Sequence, residues 1–139
     1  MSRGQTSLEF LLVVTALFSI FLLFFPLLEK SFSAGIFALN IQKADRFLEN
    51  LRHAGEKSVL FQTTFEFSEK TDSGIDWLFE CSQNKLFLTI IQLKTNFEKE
   101  LSIDFIENLN CSLPARVNGK FNVEIFHANN VLNVLMKWI

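Results

Sequence analysis

The sequence predicts an α+β protein in which a long N-terminal helix, first hydrophobic and then amphipathic, packs its C-terminal half on a small antiparallel β-sheet head. Three observations predict this class. Residues 10–28 hold no charge, apolar residues from position 37 recur with a helical period, and apolar and polar residues alternate from about position 59. A chain of 139 residues suffices for one domain plus an appended segment. We expect four parts: residues 1–4, 5–29, 30–55 and 56–139.

The first element is the uncharged run at residues 10–28. As a helix it spans about 28 Å, which matches the hydrocarbon thickness of a bilayer. Arg3 precedes the run, whereas Glu29 and Lys30 follow it and their opposite charges cancel. The positive-inside rule therefore predicts a cytoplasmic N-terminus, with residues after about 30 outside the cell.

Three ordinary interpretations compete for this run. A cleaved secretory signal peptide has a shorter apolar region and a small-x-small cleavage site, and the best match here, at residues 31–33, is weak. A plain single-pass anchor explains the length but not the sequence before it. A buried core helix would not be hydrophobic on all sides in so small a domain.

The residues in front of the run are unusual for an anchor. Membrane anchors are usually flanked by Lys or Arg, whereas Glu9 lies at the edge of this run, where a charge drawn into the bilayer costs about 2.5–3.5 kcal/mol. The string GQTSLEF at residues 4–10 resembles the Gly-Gln-x-Ser-x-Glu-Phe processing motif of archaeal type IV prepilins with a class III signal peptide. The resemblance covers roughly residues 3–28.

This resemblance implies a role for each residue of the motif. A membrane-bound aspartic peptidase, the prepilin peptidase, would cut between Gly4 and Gln5 on the cytoplasmic side and remove residues 1–4 as a leader. Gln5, Glu9 and Phe10 would then serve assembly, and Pro26 matches a helix-bending proline frequent in bacterial type IV pilins. Because this cut lies before the apolar helix, the helix is retained and can exchange lipid for the helices of neighbouring subunits.

The helix continues beyond the apolar run as an amphipathic segment. Its predicted apolar stripe is spaced by four, three, four and three positions, and consists of Phe37, Ile41, Ala44, Leu48 and Leu51. Gly55 is the expected C-cap. Pro26 is expected to kink the helix or to mark a local break.

The remainder of the chain reads as strands. Six segments with strand-like patterns are expected to form one antiparallel sheet on the helix, and the last two form a hairpin around residues 128–130. The third is apolar on both faces, which suits a central strand. These segments are residues 61–67, 75–81, 86–93, 101–105, 121–127 and 131–138.

Two further features concern the head. Cys81 and Cys111, an even number outside the cytoplasm, suggest one disulfide, with two buried thiols as the alternative. Asn110 begins the sequon Asn110-Cys111-Ser112, in a stretch that reads as a loop, and is a candidate glycosylation site.

Other site classes find little support. Glu69, Asp72, Asp76 and Glu80 suit a cation by residue type but not by spacing, and Asp76 and Glu80 fit the solvent face of a strand. His53, expected after a helix end, and His127 have no nucleophile at recognisable spacing, so an enzyme, a metal or another cofactor is not expected. The net charge of −2 and the lack of a basic stripe argue against nucleic acid.

The expected function is that of a structural subunit, a pilin, of an extracellular type IV pilus-like filament for adhesion. Its partners would be copies of itself, the prepilin peptidase, the pilus assembly machinery and, before assembly, the membrane. Two alternatives stay open: a minor pilin or secretion-system pseudopilin, and a single-pass anchored domain that binds an extracellular ligand.

Overall fold

The computed structural model describes residues 3–114 and 116–139, with residues 3–6 described by their backbone only. Its elements are one helix and eight strands, in the order α1 Arg3–Phe61, β1 Phe65–Lys70, β2 Ile75–Ser82, β3 Lys85–Gln92, β4 Phe97–Asp104, β5 Asn108–Ser112, β6 Arg116–Val117, β7 Lys120–Ala128 and β8 Val131–Trp138. The predicted α+β class is confirmed. The chain divides into two compact units, one up to Ile36 and the other Phe37–Ile139, which we call the head.

The strands form two four-stranded sheets rather than the single predicted sheet. Sheet A has the order β1-β7-β8-β5 and sheet B the order β4-β3-β2-β6. All pairs are antiparallel except β5 with β8. The apolar segment expected to be central is β3, which lies between β2 and β4. The hairpin β7–β8 turns at Asn129 and Asn130, whose φ angles of 54° and 60° fit the left-handed conformation that asparagine tolerates.

The core of the head lies between the C-terminal half of α1 and both sheets. The predicted stripe is confirmed, because Ala44, Leu48 and Leu51 are buried and Phe37 and Ile41 pack against the core. The stripe omitted Phe47, which is 1% exposed. Its ring lies 5.8 Å from Phe67 and Phe121 of sheet A, and 5.4 and 5.9 Å from Trp77 and Phe79 of sheet B, between ring centroids. One helix residue therefore contacts both sheets.

The helix end was predicted wrongly at Gly55. Helix α1 ends at Phe61 and is followed by Gln62, whose φ is 52° and whose amide donates to the Ser58 carbonyl at 2.9 Å. Gly55 is needed for close packing, since a Cβ there would lie 2.9 Å from Leu132 and 3.2 Å from Phe105. Consequently β1 begins at Phe65, four residues later than predicted.

Candidate assembly site

The N-terminal part of α1 presents apolar side chains on all sides. Every side chain described between residues 7 and 32 is exposed, including seventeen large apolar ones: Leu8, Phe10, Leu11, Leu12, Val13, Val14, Leu17, Phe18, Ile20, Phe21, Leu22, Leu23, Phe24, Phe25, Leu27, Leu28 and Phe32. Soluble monomers rarely expose a contiguous apolar surface of this extent. By length and composition, the helix is able to anchor in a membrane.

The polar side chains inside this apolar stretch are satisfied by the helix itself. The Thr15 hydroxyl donates to the Leu11 carbonyl at 2.9 Å, and the Ser19 hydroxyl donates to the Thr15 carbonyl at 2.8 Å. A polar group without a partner would be costly in lipid or among apolar helices. Both hydroxyls are therefore compatible with transfer of the helix out of water.

Among residues 7–28, Glu9 is the one ionisable side chain, and it is exposed. Gly4 and Gln5 lie on the same helix, and Gln5 is four positions before Glu9. Residues four apart share one face of a helix. A new amino group at Gln5 would thus be near the Glu9 carboxylate of its own chain, or accessible to that of a neighbour. Met1 and Ser2 of the expected leader lie outside the described residues.

Pro26 lies inside α1 and does not interrupt it. The local break considered as an alternative does not occur, since the residues on both sides are α-helical. Proline has no amide hydrogen, so the carbonyl of Leu22 loses its usual intrahelical donor. Pro26 therefore marks the weakest point in the backbone bonding of the apolar segment.

The two cysteines form a disulfide, Cys81–Cys111, with Cα atoms 6.4 Å apart. Cys81 lies on β2 of sheet B and Cys111 on β5 of sheet A. The bond therefore joins the two sheets through β2 and β5, which do not pair with each other.

Reduction or removal of this bond should destabilise the head. The bond closes a stretch of 30 residues, which the chain-entropy account values at roughly 3–4 kcal/mol. We expect Cys81→Ser/Cys111→Ser protein to unfold at a correspondingly lower denaturant concentration. In native protein unfolded without reductant, thiol labelling should find neither cysteine. Full labelling of both would refute the bridge.

Asn110 lies on strand β5, not in the predicted loop. The strand forms because its backbone pairs in parallel with β8, a partner that a local pattern does not reveal. Asn110 remains exposed at the edge of sheet A, but its Nδ2 donates to Asn133 Oδ1 at 2.8 Å. A glycan on Nδ2 would have to replace this hydrogen bond, and the adjacent Cys111 is held by the disulfide.

The four acidic residues Glu69, Asp72, Asp76 and Glu80 do not converge on one site. Lys43 Nζ lies 3.8 Å from Glu69 Oε1 and 3.5 Å from Asp72 Oδ1, which gives these two carboxylates a cationic partner. Glu80 is exposed on β2, as predicted. In the parts of the chain that the structure describes, no three His, Cys, Asp or Glu side chains are grouped to hold a metal ion.

Asp76 was predicted wrongly to face solvent, since it is 1% exposed. Its Oδ2 accepts a hydrogen bond from Arg116 Nε at 2.6 Å, and its Oδ1 accepts one from Asn118 at 2.7 Å. A buried carboxylate requires such partners. Asp76 thus ties the short strand β6 and the residue after it to β2. Because both partners lie 40 or more positions away, the alternation around residue 76 could not identify this role.

The two histidines lie on different elements. His53 lies inside α1, eight residues before its last residue, so the prediction that it follows a helix end is wrong. Its Nδ1 lies 3.7 Å from Glu56 Oε2, one turn further along the helix. His127 lies on β7. The structure does not bring them together.

Comparison of this chain with protein-family models, with curated proteins and with solved structures finds no match.

Proposed function

We propose that this chain is a structural subunit, a pilin, of an extracellular filament of the archaeal type IV pilus kind, used for attachment to surfaces. The observation that carries the proposal is a helix exposed and apolar on all sides between residues 10 and 28, preceded by Glu9 and followed by a folded head. A filament in which many such helices pack together would remove this apolar surface from water and from lipid.

Such a subunit would act by assembling with other copies, and this would require the cleavage of one peptide bond. Hydrolysis of the Gly4–Gln5 peptide bond by the prepilin peptidase would release residues 1–4 and create the amino group of Gln5. In the filament core, Glu9 would otherwise be a buried charge without a partner, which costs several kcal/mol. The amino group of Gln5 in the same or a neighbouring subunit supplies that partner.

The head has a different role in this proposal. Its disulfide supports a location outside the cytoplasm, where such bonds persist. The helix would first hold the subunit in the membrane with the head outside, and the assembly machinery would then transfer it to the filament, whose outer surface the heads form.

Processing is the most direct test. Protein extracted from the cell surface should begin at Gln5. Loss of Arg3 lowers the count of Lys and Arg from 13 to 12 against 15 acidic residues, so the formal side-chain charge becomes −3. Mass spectrometry of the N-terminus measures this directly. A start at Met1, or near residue 34 as left by an ordinary signal peptidase, would contradict the proposal.

Electron microscopy separates the proposal from its alternative. Sheared surface material should contain filaments that consist mainly of this chain. If the protein instead stays in the membrane as monomers, it is an anchored binding domain. If it is present only in trace amounts within filaments of another chain, it is a minor pilin or a pseudopilin.

A further inference from the structure

An apolar groove opens on the head where α1 ends. It has a volume of about 310 Å³ and is lined by apolar groups of α1, of the segment after β4 and of β8, among them Gly55, Val59, Leu60, Phe105, Ile106 and Leu132. Ile106 is 90% exposed and Leu60 is 75% exposed. Two apolar side chains so open to water at a groove indicate a surface that a partner covers. We call it the distal groove.

The rim of the distal groove is acidic. Arg52, Glu56, Asp104 and Glu107 lie around it. Arg52 lies 4.0 Å from Glu56, and Lys85 lies 3.0 Å from Asp104. Glu107 has no ion pair among the described residues. An occupant with an exposed apolar group next to a single cation would therefore suit the groove.

The opposite end of the head offers such a group on the turn at residues 93–96, between β3 and β4. Lys94 is exposed there and has no ion pair among the described residues. On either side of it, Leu93 is 46% exposed and Phe97 39% exposed. The turn is held in place, since the Leu93 amide donates to the Gly74 carbonyl at 3.1 Å and the Thr95 hydroxyl lies 3.0 Å from Gln92 Oε1. We call it the proximal turn.

The lengths of α1 and of β4 give two independent estimates of the separation between these two surfaces. The ring of Phe97 packs on Phe37 at 5.5 Å between centroids, while Phe105 lies against Gly55. Phe37 and Gly55 are 18 positions apart on α1, a rise of about 27 Å. Phe97 and Phe105 are 8 positions apart along an extended strand, which also gives about 27 Å. The proximal turn and the distal groove therefore lie at opposite ends of one head along the direction of α1.

We propose that the proximal turn of one head docks into the distal groove of a second copy, with Lys94 facing Glu107. Because the two surfaces differ and lie at opposite ends, the contact is heterologous. Each added copy leaves one proximal turn and one distal groove free, so the contact can repeat along a row of copies. This inference rests on the proposed filament, and it names a contact through which neighbouring heads would stack along it.

Cysteine cross-linking tests the contact in intact cells. Two alleles of the full chain are expressed together, one with Lys94→Cys and the other with Glu107→Cys, each with its own tag. The native cysteines are already bonded to each other. After mild oxidation, dimers that carry both tags should form, about tenfold more abundant than in cells that combine Lys94→Cys with Glu66→Cys. Glu66 is an exposed acid on β1 that belongs to neither surface.

A charge exchange provides a second measurement that does not depend on the cysteine variants. Lys94→Glu or Glu107→Lys alone should lower the number of filaments per cell by about tenfold, because like charges then face each other. The double variant Lys94→Glu/Glu107→Lys should restore the number. A double variant as poor as either single variant would overturn the pairing.

The outcomes separate this inference from the proposed function. Filaments without mixed dimers would overturn the head contact but not the proposed filament. Mixed dimers in membranes of cells that make no filaments would support the head contact and overturn the filament. Absence of both would overturn both.

Discussion

Replacing Glu9 with alanine should abolish filaments while leaving the subunit inserted and processed. In a membrane, Glu9 would lie at the edge of the apolar run, where water would solvate its carboxylate at little cost. In the proposed filament core that carboxylate would need the amino group of Gln5, and the pair would also define the axial register of neighbouring helices. Without Glu9, the Gln5 amine would be buried unpaired and the register would be lost. Filaments per cell, counted beside an immunoblot for processed subunit, measure the effect.

The competing explanation is that Glu9 only stabilises the start of the helix through its dipole. That effect is worth about 0.3–1 kcal/mol and fades beyond the first turn, and Glu9 would be the fifth residue of the helix once residues 1–4 are removed. Its loss should leave filaments abundant. Glu29→Ala is the matched control, since it removes the exposed acid at the other end of the apolar run, and should leave filaments at the wild-type number. Glu9→Asp should keep partial function. Normal piliation in Glu9→Ala cells would defeat the pairing hypothesis.

Truncation of Phe47 should destabilise the head strongly. Phe47→Ala removes the ring that packs on aromatic residues of both sheets, and burial leaves little room for the site to collapse. We expect the free energy of unfolding to fall by about 3–5 kcal/mol. Chemical denaturation of the detergent-solubilised subunit, followed by Trp fluorescence, measures the change.

Leu39→Ala is the control for Phe47. It also truncates a large apolar residue of α1, but Leu39 is 65% exposed, so the stability should change by less than about 0.5 kcal/mol. A loss for Phe47→Ala no larger than that for Leu39→Ala would show that the two sheets do not depend on this contact.

Local periodicity predicted the elements that have strong patterns. The uncharged run, the amphipathic stripe, β2, β3 and the β7–β8 hairpin all follow from spacing within a few residues. The predicted stripe did not include Phe47 because it followed a single row of residues along the helix. The helix packs against two sheets and therefore buries a broader face. Gly55 looked like a helix end because glycine is a poor helix former, and the reason for its presence, Leu132, lies far along the chain.

Pairing between distant segments explains the other differences. Strand β5 has little pattern of its own and is defined by β8, and β6 has only two residues. The burial of Asp76 depends on Arg116 and Asn118. At the candidate assembly site, the apolar helix could be predicted from the sequence, because its pattern is local. The distal groove could not, since three separate elements form it.

The connectivity of sheet A also dictates when the head can become compact. β1 pairs with β7, β5 pairs with β8, and β8 pairs with β7, so no ladder of this sheet can form before residue 120 is present. Sheet B can begin much earlier, because β2, β3 and β4 are successive neighbours within residues 75–104. While the chain is being synthesised, the backbone of β1 therefore lacks its ladder partner until Lys120, 50 positions after β1 ends, is present. A chain that stops short of Val131 also lacks a central strand and leaves β5 without its partner, so full-length synthesis is itself a condition for a protease-resistant head.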